Sequence, residues 1–206
     1  MTASTWLALL GACLLISLTP GAGAINTMNN ALNVGFRRSI WGILGQQTAL
    51  LIQLVIVAAG LGLLVTDSPT AFAVIRYVGA VYLVYLGVQQ FLTKPDAPDA
   101  STATVGTASA RSMYSQGVWV NLLNPKAIVF LVAFIPSFVR PESDTTLQYT
   151  EIGATIVAVD VLVMWLFFAL VGRSFRRISS TERGRRRINR LFGVLFVGVG
   201  IMLALI

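Results

Sequence analysis

The chain of 206 residues is 56% hydrophobic and only 11% charged, against roughly 45–50% and about 25% for an average soluble domain, and its mean hydropathy is +0.78. That composition excludes a soluble domain of this length, and the absence of His excludes Ser-His-Asp and Cys-His catalysis as well as His-ligated metal or haem. The single Cys13 excludes an internal disulfide or a two-Cys redox pair, and the net charge of +7 is read by its location along the chain, since basic loops of membrane proteins mark the cytoplasmic side.

Six segments have the length and apolar character of a bilayer crossing, about 20 residues each: 4–25, 39–65, 69–92, 113–138, 147–172 and 188–206. The first ends Ala22-Gly23-Ala24, like a signal cleavage site, but its first 20 residues carry no Lys or Arg, so it is read as a retained helix. It is interrupted at Thr19-Pro20-Gly21-Ala22-Gly23. Thr is a good N-cap and Pro suits the first helical position, so a half-helix is expected to start there inside the membrane. Asn26, Asn30 and Asn33 follow at i, i+4 and i+7, one face of that half-helix. Gln46 and Gln53 share a face of the second span. These polar residues either line a hydrophilic path or join helices by hydrogen bonds. Arg76, early in the third span, reads as a packing or gating charge near the outer face.

The stretch 93–112 is rich in Pro, Asp, Ala, Ser and Thr and reads as a flexible cytoplasmic linker between two units, 1–92 and 113–206. The fourth span repeats the device of the first, with Asn124-Pro125-Lys126 expected to start a second half-helix. Asp160 lies near the middle of the fifth span, where a charge is costly and usually functional. Eight arginines between 173 and 190 precede the sixth span and read as a topology anchor on anionic head groups; without interleaved aromatics, nucleic acid is not an expected partner. Gly42, Gly45, Gly79, Gly87, Gly193 and Gly200 are expected to let helices approach closely.

Loop charge sets the orientation. One side collects Arg37, Arg38, Lys94, Arg111 and the eight arginines; the other collects Arg140 beside Glu142, Asp144 and Glu151. Positive-inside places the Arg-rich loops in the cytoplasm and both termini outside. With three spans per unit, the two units enter the bilayer from opposite sides. The expected fold is therefore an all-α integral membrane protein of six transmembrane helices, built as two inverted three-helix repeats with broken first and fourth helices. Paired broken helices of that kind mark a substrate site near the midplane.

A half-helix start exposes unpaired N–H groups and a partial positive charge, which suits a carboxylate. Lys126 adds a full positive charge, and Asp160 supplies an anionic partner for an ammonium, a carrier for a coupling proton, or a structural ion pair with Lys126 or Arg76. The expected substrate-binding set is Thr19, Pro20, Gly21, Asn26, Asn30, Asn124, Pro125, Lys126 and Asp160, with Asp160 also coupling protons. A lipid-modifying enzyme is disfavoured because the acidic residues, among them Asp67, Asp160 and Glu182, are dispersed. An amino-acid-permeable channel or a non-transporting membrane subunit is the alternative.

Three motifs carry a resemblance. The stretch from Leu18 to Asn30, with Pro20-Gly21-Ala22-Gly23-Ala24-Ile25-Asn26-Thr27-Met28, the stretch Gly79-Ala80-Val81-Tyr82-Leu83-Val84-Tyr85-Leu86-Gly87, and Asn121-Leu122-Leu123-Asn124-Pro125-Lys126-Ala127 resemble the first-, third- and fourth-span motifs of the LysE/RhtB family of amino-acid exporters. The match covers essentially the whole chain. Ala22 stands where the broader family usually has the second proline of Pro-Gly-Pro, and Gly23 to Met28 match the signature of its homoserine branch. The resemblance implies export of homoserine and homoserine lactone, or threonine, from the bacterial cytoplasm across the inner membrane, driven by proton antiport and without a cofactor. A homodimer is compatible with it.

Overall fold

The computed structural model describes residues 1–67, 69–92, 108–140, 142–171 and 181–205; these are helical, with short connections and no strand. Helix α1 (Ala3–Leu18) starts on Thr2, whose hydroxyl accepts from the Thr5 amide. It closes on Thr19, whose hydroxyl donates back to the Leu15 carbonyl at 2.7 Å. The chain turns through Pro20 and an extended Gly21 into α2 (Ala22–Val34), bent by 59° from α1. Helix α2 stops at Gly35, whose φ of 92° only glycine adopts without strain. Next come α3 (Ile40–Asp67) and α4 (Pro69–Leu92).

Helix α5 (Ala110–Leu122) is capped by the Ser109 hydroxyl, which accepts from the Ser112 amide. A 54° bend leads to α6 (Pro125–Val129), which continues as a π-turn over Phe130–Phe134 and a 3₁₀ turn over Ile135–Phe138. Helix α7 (Thr145–Leu162) is capped by Asp144 and continues as a π-turn over Val163–Ala169; α8 runs Glu182–Leu205.

Among the described residues, Ile40–Gly60 and Thr145–Ala169 are each long and apolar enough to cross a membrane, and each bent pair adds a further candidate. Helices α4 and α8 have 24 residues each, a length of about 36 Å at the α-helical rise.

Both breaks fall where proline and its neighbours predict them, but they are built differently. Asn124 caps α6 as expected: its Oδ1 accepts from the Lys126 amide at 3.1 Å, with Pro125 in the first turn. Thr19 does not cap α2. Its hydroxyl is committed to Leu15, one turn back, so Gly21 takes the N-cap position without a side-chain bond and Pro20 lies outside the helix. The first helical pair also extends to Val34, past the expected edge at 25, because Thr27 of its polar face finds a buried partner in Gln46. Part of the expected linker lies outside the described residues, and its last three positions, 110–112, already belong to α5. Of the arginine run, residues 173–180 lie outside the described residues, while Arg183, Arg186, Arg187 and Arg190 stand on the first turns of α8 rather than in a loop.

The most extensive helix contacts are α4 with α8 and α3 with α5, followed equally by α1 with α7 and α4 with the π-turn Phe130–Phe134. Small residues make the first two possible. A Cβ on Gly45 would lie 2.0 Å from the Tyr114 carbonyl oxygen, and one on Gly117 2.0 Å from that of Gly42. Gly87 and Gly193 face each other's carbonyls across α4 and α8, and Gly200 lies on Ala80. Exposed Val55, Val78, Val81 and Leu170 give the outer faces an apolar surface suited to lipid. Buried Leu9, Leu83, Leu131, Phe134, Ile152 and Phe168 fill the interior.

Candidate functional site

The two breaks meet around a cavity of about 40 Å³. Helix α1 contributes Cys13, Ile16 and Ser17, α2 contributes Gly23 and Ala24, and α3 contributes Gln46 and Leu50. Asn121, Asn124, Lys126, Ala127 and Phe130 come from the second broken pair, and Ile156, Asp160 and Met164 from α7 and its π-turn. The lining is thus mostly apolar, with one cation, one anion and a few amides.

Asp160 is 8% exposed. Its Oδ1 accepts from the Ser17 hydroxyl at 2.8 Å and its Oδ2 from Gln47 Nε2 at 2.7 Å. Lys126 is 9% exposed, and its Nζ donates to the carbonyls of Ile16 at 2.9 Å and Thr19 at 2.6 Å. These are carbonyls at the end of α1, deprived of helical partners by the break, where a cation is favoured by the helix dipole. Of the three ammonium N–H groups, one is left over. Among the described residues Lys126 and Asp160 share the cavity without a direct ion pair, so each charge is held by neutral groups.

The second break is closed in a related way. Gln53 Nε2 donates to the carbonyls of Asn121 at 3.2 Å and Leu122 at 3.1 Å, at the end of α5. Asn121 Nδ2 reaches the Gln46 carbonyl, Asn124 Nδ2 reaches Asn121 Oδ1, and Gln46 Nε2 reaches Gly23 O and Thr27 Oγ1. Gln46 and Gln53 therefore join helices, and Gln46 also faces the cavity. The start of α2 has no side-chain cap, and Gly23 and Ala24 of its first turn line the cavity.

Of the expected substrate-binding set, Asn124, Lys126 and Asp160 line the cavity, and Thr19 borders it through the carbonyl that holds Lys126. Gly21 lies under the Lys126 side chain, 3.4 Å from its Cε to an added Cβ. Pro20 and Pro125 shape the breaks. Asn26 and Asn30 are buried but face Gly42 of α3 rather than lining the cavity, and their Nδ2 atoms have no partner. Asn33 is exposed. Arg76 lies over the ring of Tyr77 and donates from Nη2 to its hydroxyl, while its buried Nε has no partner among the described residues. Ser17 and Gln47, the two partners of Asp160, were not singled out. Their signal was a hydroxyl and an amide inside apolar runs, and nothing in their spacing links either to residue 160.

Over residues 14–206 the chain matches the LysE type translocator family. It is 40% identical over 204 residues to the homoserine/homoserine lactone efflux protein of Salmonella typhimurium, covering 99% of this chain and 98% of that one. It is equally similar, over the same shares, to a membrane protein of Vibrio cholerae. The leucine efflux protein of Salmonella choleraesuis is 29% identical over 205 residues, 97% of this chain and 93% of that one. No solved structure matches. The buried charges at paired helix breaks, the apolar outer faces and the match over nearly its whole length place the chain, a membrane protein, in the LysE type translocator family.

Proposed function

We propose that the protein is a secondary transporter, not an enzyme, that exports a small amino acid from the cytoplasm in exchange for protons. The observation that carries this reading is the pair Lys126 and Asp160: both are buried on one cavity, between two broken helices, and neither neutralises the other. A zwitterion needs one positive and one negative subsite. Its carboxylate goes to the uncapped start of α2 with the remaining Lys126 N–H; Asn124 and Pro125 hold Lys126 there, and Thr19, Pro20 and Gly21 form the facing turn. Its ammonium goes to Asp160, which also carries the coupling proton when the site is empty. Asn26 and Asn30, with free amide donors, serve the route along α2.

In the proposed architecture six helices form two inverted repeats, 1–92 and 113–206. The pairing of α4 with α8, together with the related pairs α3 with α5 and α7 with α1, supports it. The charge asymmetry of the loops supports an inner-membrane orientation with both termini outside. Identity to the Salmonella efflux protein supports homoserine and its lactone as substrates, with threonine as a neighbour in size.

The test is efflux of preloaded labelled homoserine from cells carrying the intact chain, Asp160→Asn or an empty vector, with and without an uncoupler. Faster efflux with the intact chain, stopped by either change, is the expected result. Efflux no faster than the empty vector for both homoserine and threonine would overturn the reading. Efflux indifferent to the uncoupler would remove proton antiport from it.

A further inference from the structure

Gln47 stands on α3 and is 4% exposed. One end of its amide is committed: Nε2 donates to Asp160 Oδ2 at 2.7 Å. The other end, Oε1, is buried and accepts from nothing. In the ionised state that meets an ammonium, the Asp160 carboxylate can only accept, so there the N–H₂ end faces Asp160 and the oxygen is the orphan. Nearly all buried polar atoms in folded proteins find partners, and leaving one unpaired is destabilising. The group Oε1 lacks is a hydrogen-bond donor.

That donor must fit beside Asp160. The two ends of an amide are about 2.3 Å apart, so with the 2.7 Å bond, Gln47 Oε1 lies within about 5 Å of Asp160 Oδ2. When Asp160 is bonded by the N–H on the Oε1 side, the two oxygens lie about 3.6 Å apart, and a single nitrogen on the side away from Nε2 can bond both at about 2.9 Å. An ammonium offers three N–H groups and no acceptor. Proton delivery to Asp160 alone does not satisfy Oε1; a cationic nitrogen placed between the two satisfies both.

We propose that Gln47 is a specificity-determining residue that binds the transported ammonium: its carbonyl oxygen and Asp160 together take two of the three ammonium N–H groups. The amide then has two functions at once, orienting the carboxylate through Nε2 and reading the substrate through Oε1. This assignment rests on the amino-acid export reading and names its cation subsite.

The test is uptake of labelled homoserine into inside-out proteoliposomes by the intact chain, Gln47→Met and Gln47→Glu, read as KM. Met keeps the length and removes both the acceptor and the N–H that holds Asp160, so KM rises about tenfold or more, the effect of losing a hydrogen bond to a charged group. Glu keeps an acceptor in either state: protonated, it donates to Asp160 and retains its carbonyl; ionised, it attracts the ammonium. Its KM is expected to stay close to that of the intact chain. An unchanged KM in Gln47→Met, or a KM for Gln47→Glu as high as that of Met, would overturn the assignment while leaving export standing. Where Gln47→Met is not recovered in vesicles, Gln47→Asn, one methylene too short to reach both partners, is read in its place, with the same rise in KM expected. Failure of the intact chain to move homoserine, threonine or leucine sinks the export reading and this one with it.

Discussion

Lys126 has two demands on one ammonium. It holds the carbonyls of Ile16 and Thr19 at the end of α1, and its third N–H is the one proposed to meet a substrate carboxylate. Lys126→Met removes both. Each abandoned carbonyl costs about 1–3 kcal/mol if it stays dry, so the variant is expected to unfold in detergent at a lower temperature than the intact chain. Transport adds a second readout. Homoserine lactone has no free carboxylate, so its export is expected to fall less than that of homoserine when both are measured in the same cells. Equal loss of the two would assign Lys126 to helix closure alone. Lys126 and Asp160 stood out in the sequence because a charge inside an apolar span is costly and rarely accidental. Their partners did not. Ser17 and Gln47 reach Asp160 across 143 and 113 residues of chain.

At the level of elements, the breaks and the glycine seams decide the shape. Asn124→Ala deletes the only side-chain cap of α6 described, and a lost N-cap costs about 1 kcal/mol. It also frees Lys126 to tilt, so transport is expected to fall more than thermal stability, checked by measuring both on one preparation. The seam between α3 and α5 leaves no room at Gly45, where an added Cβ meets backbone at 2.0 Å. Gly45→Ala is therefore expected to be severely destabilising, with loss of folded protein on size-exclusion chromatography. Gly11, with open space around it, is the control: Gly11→Ala is expected to stabilise α1 by up to about 1 kcal/mol through helix propensity. Matching stability of the two alanine variants would contradict the close packing described for α3 and α5.

For the whole molecule, size is the constraint. A cavity of about 40 Å³ has room for about three waters, not for an amino acid, so the proposed route through it requires the helices around it to separate. Cys13, the single thiol of the chain, lines that cavity at 1% exposure, so a thiol reagent reaches it only when the helices separate. N-ethylmaleimide is expected to stop transport by the intact chain, to leave Cys13→Ala unaffected, and to react more slowly when substrate is saturating. Full transport by completely alkylated protein would put the route elsewhere.

Composition alone determined that this is a membrane protein, because the hydropathy of whole segments survives any detail of packing. Local chemistry located the breaks, since proline inside a run of helical residues removes a backbone hydrogen bond and clashes with the preceding turn, and it marked Lys126 and Asp160 as costly charges. Tertiary structure alone decided what those groups touch. Whether Thr19 caps the helix after it or closes the one before it depends on a hydroxyl choosing between two backbone neighbours. Whether Lys126 pairs with Asp160 depends on carbonyls at the end of another helix being nearer. Hydrogen bonds in a dry interior are short-ranged and directional, and a one-dimensional pattern carries the need for a partner but not its identity.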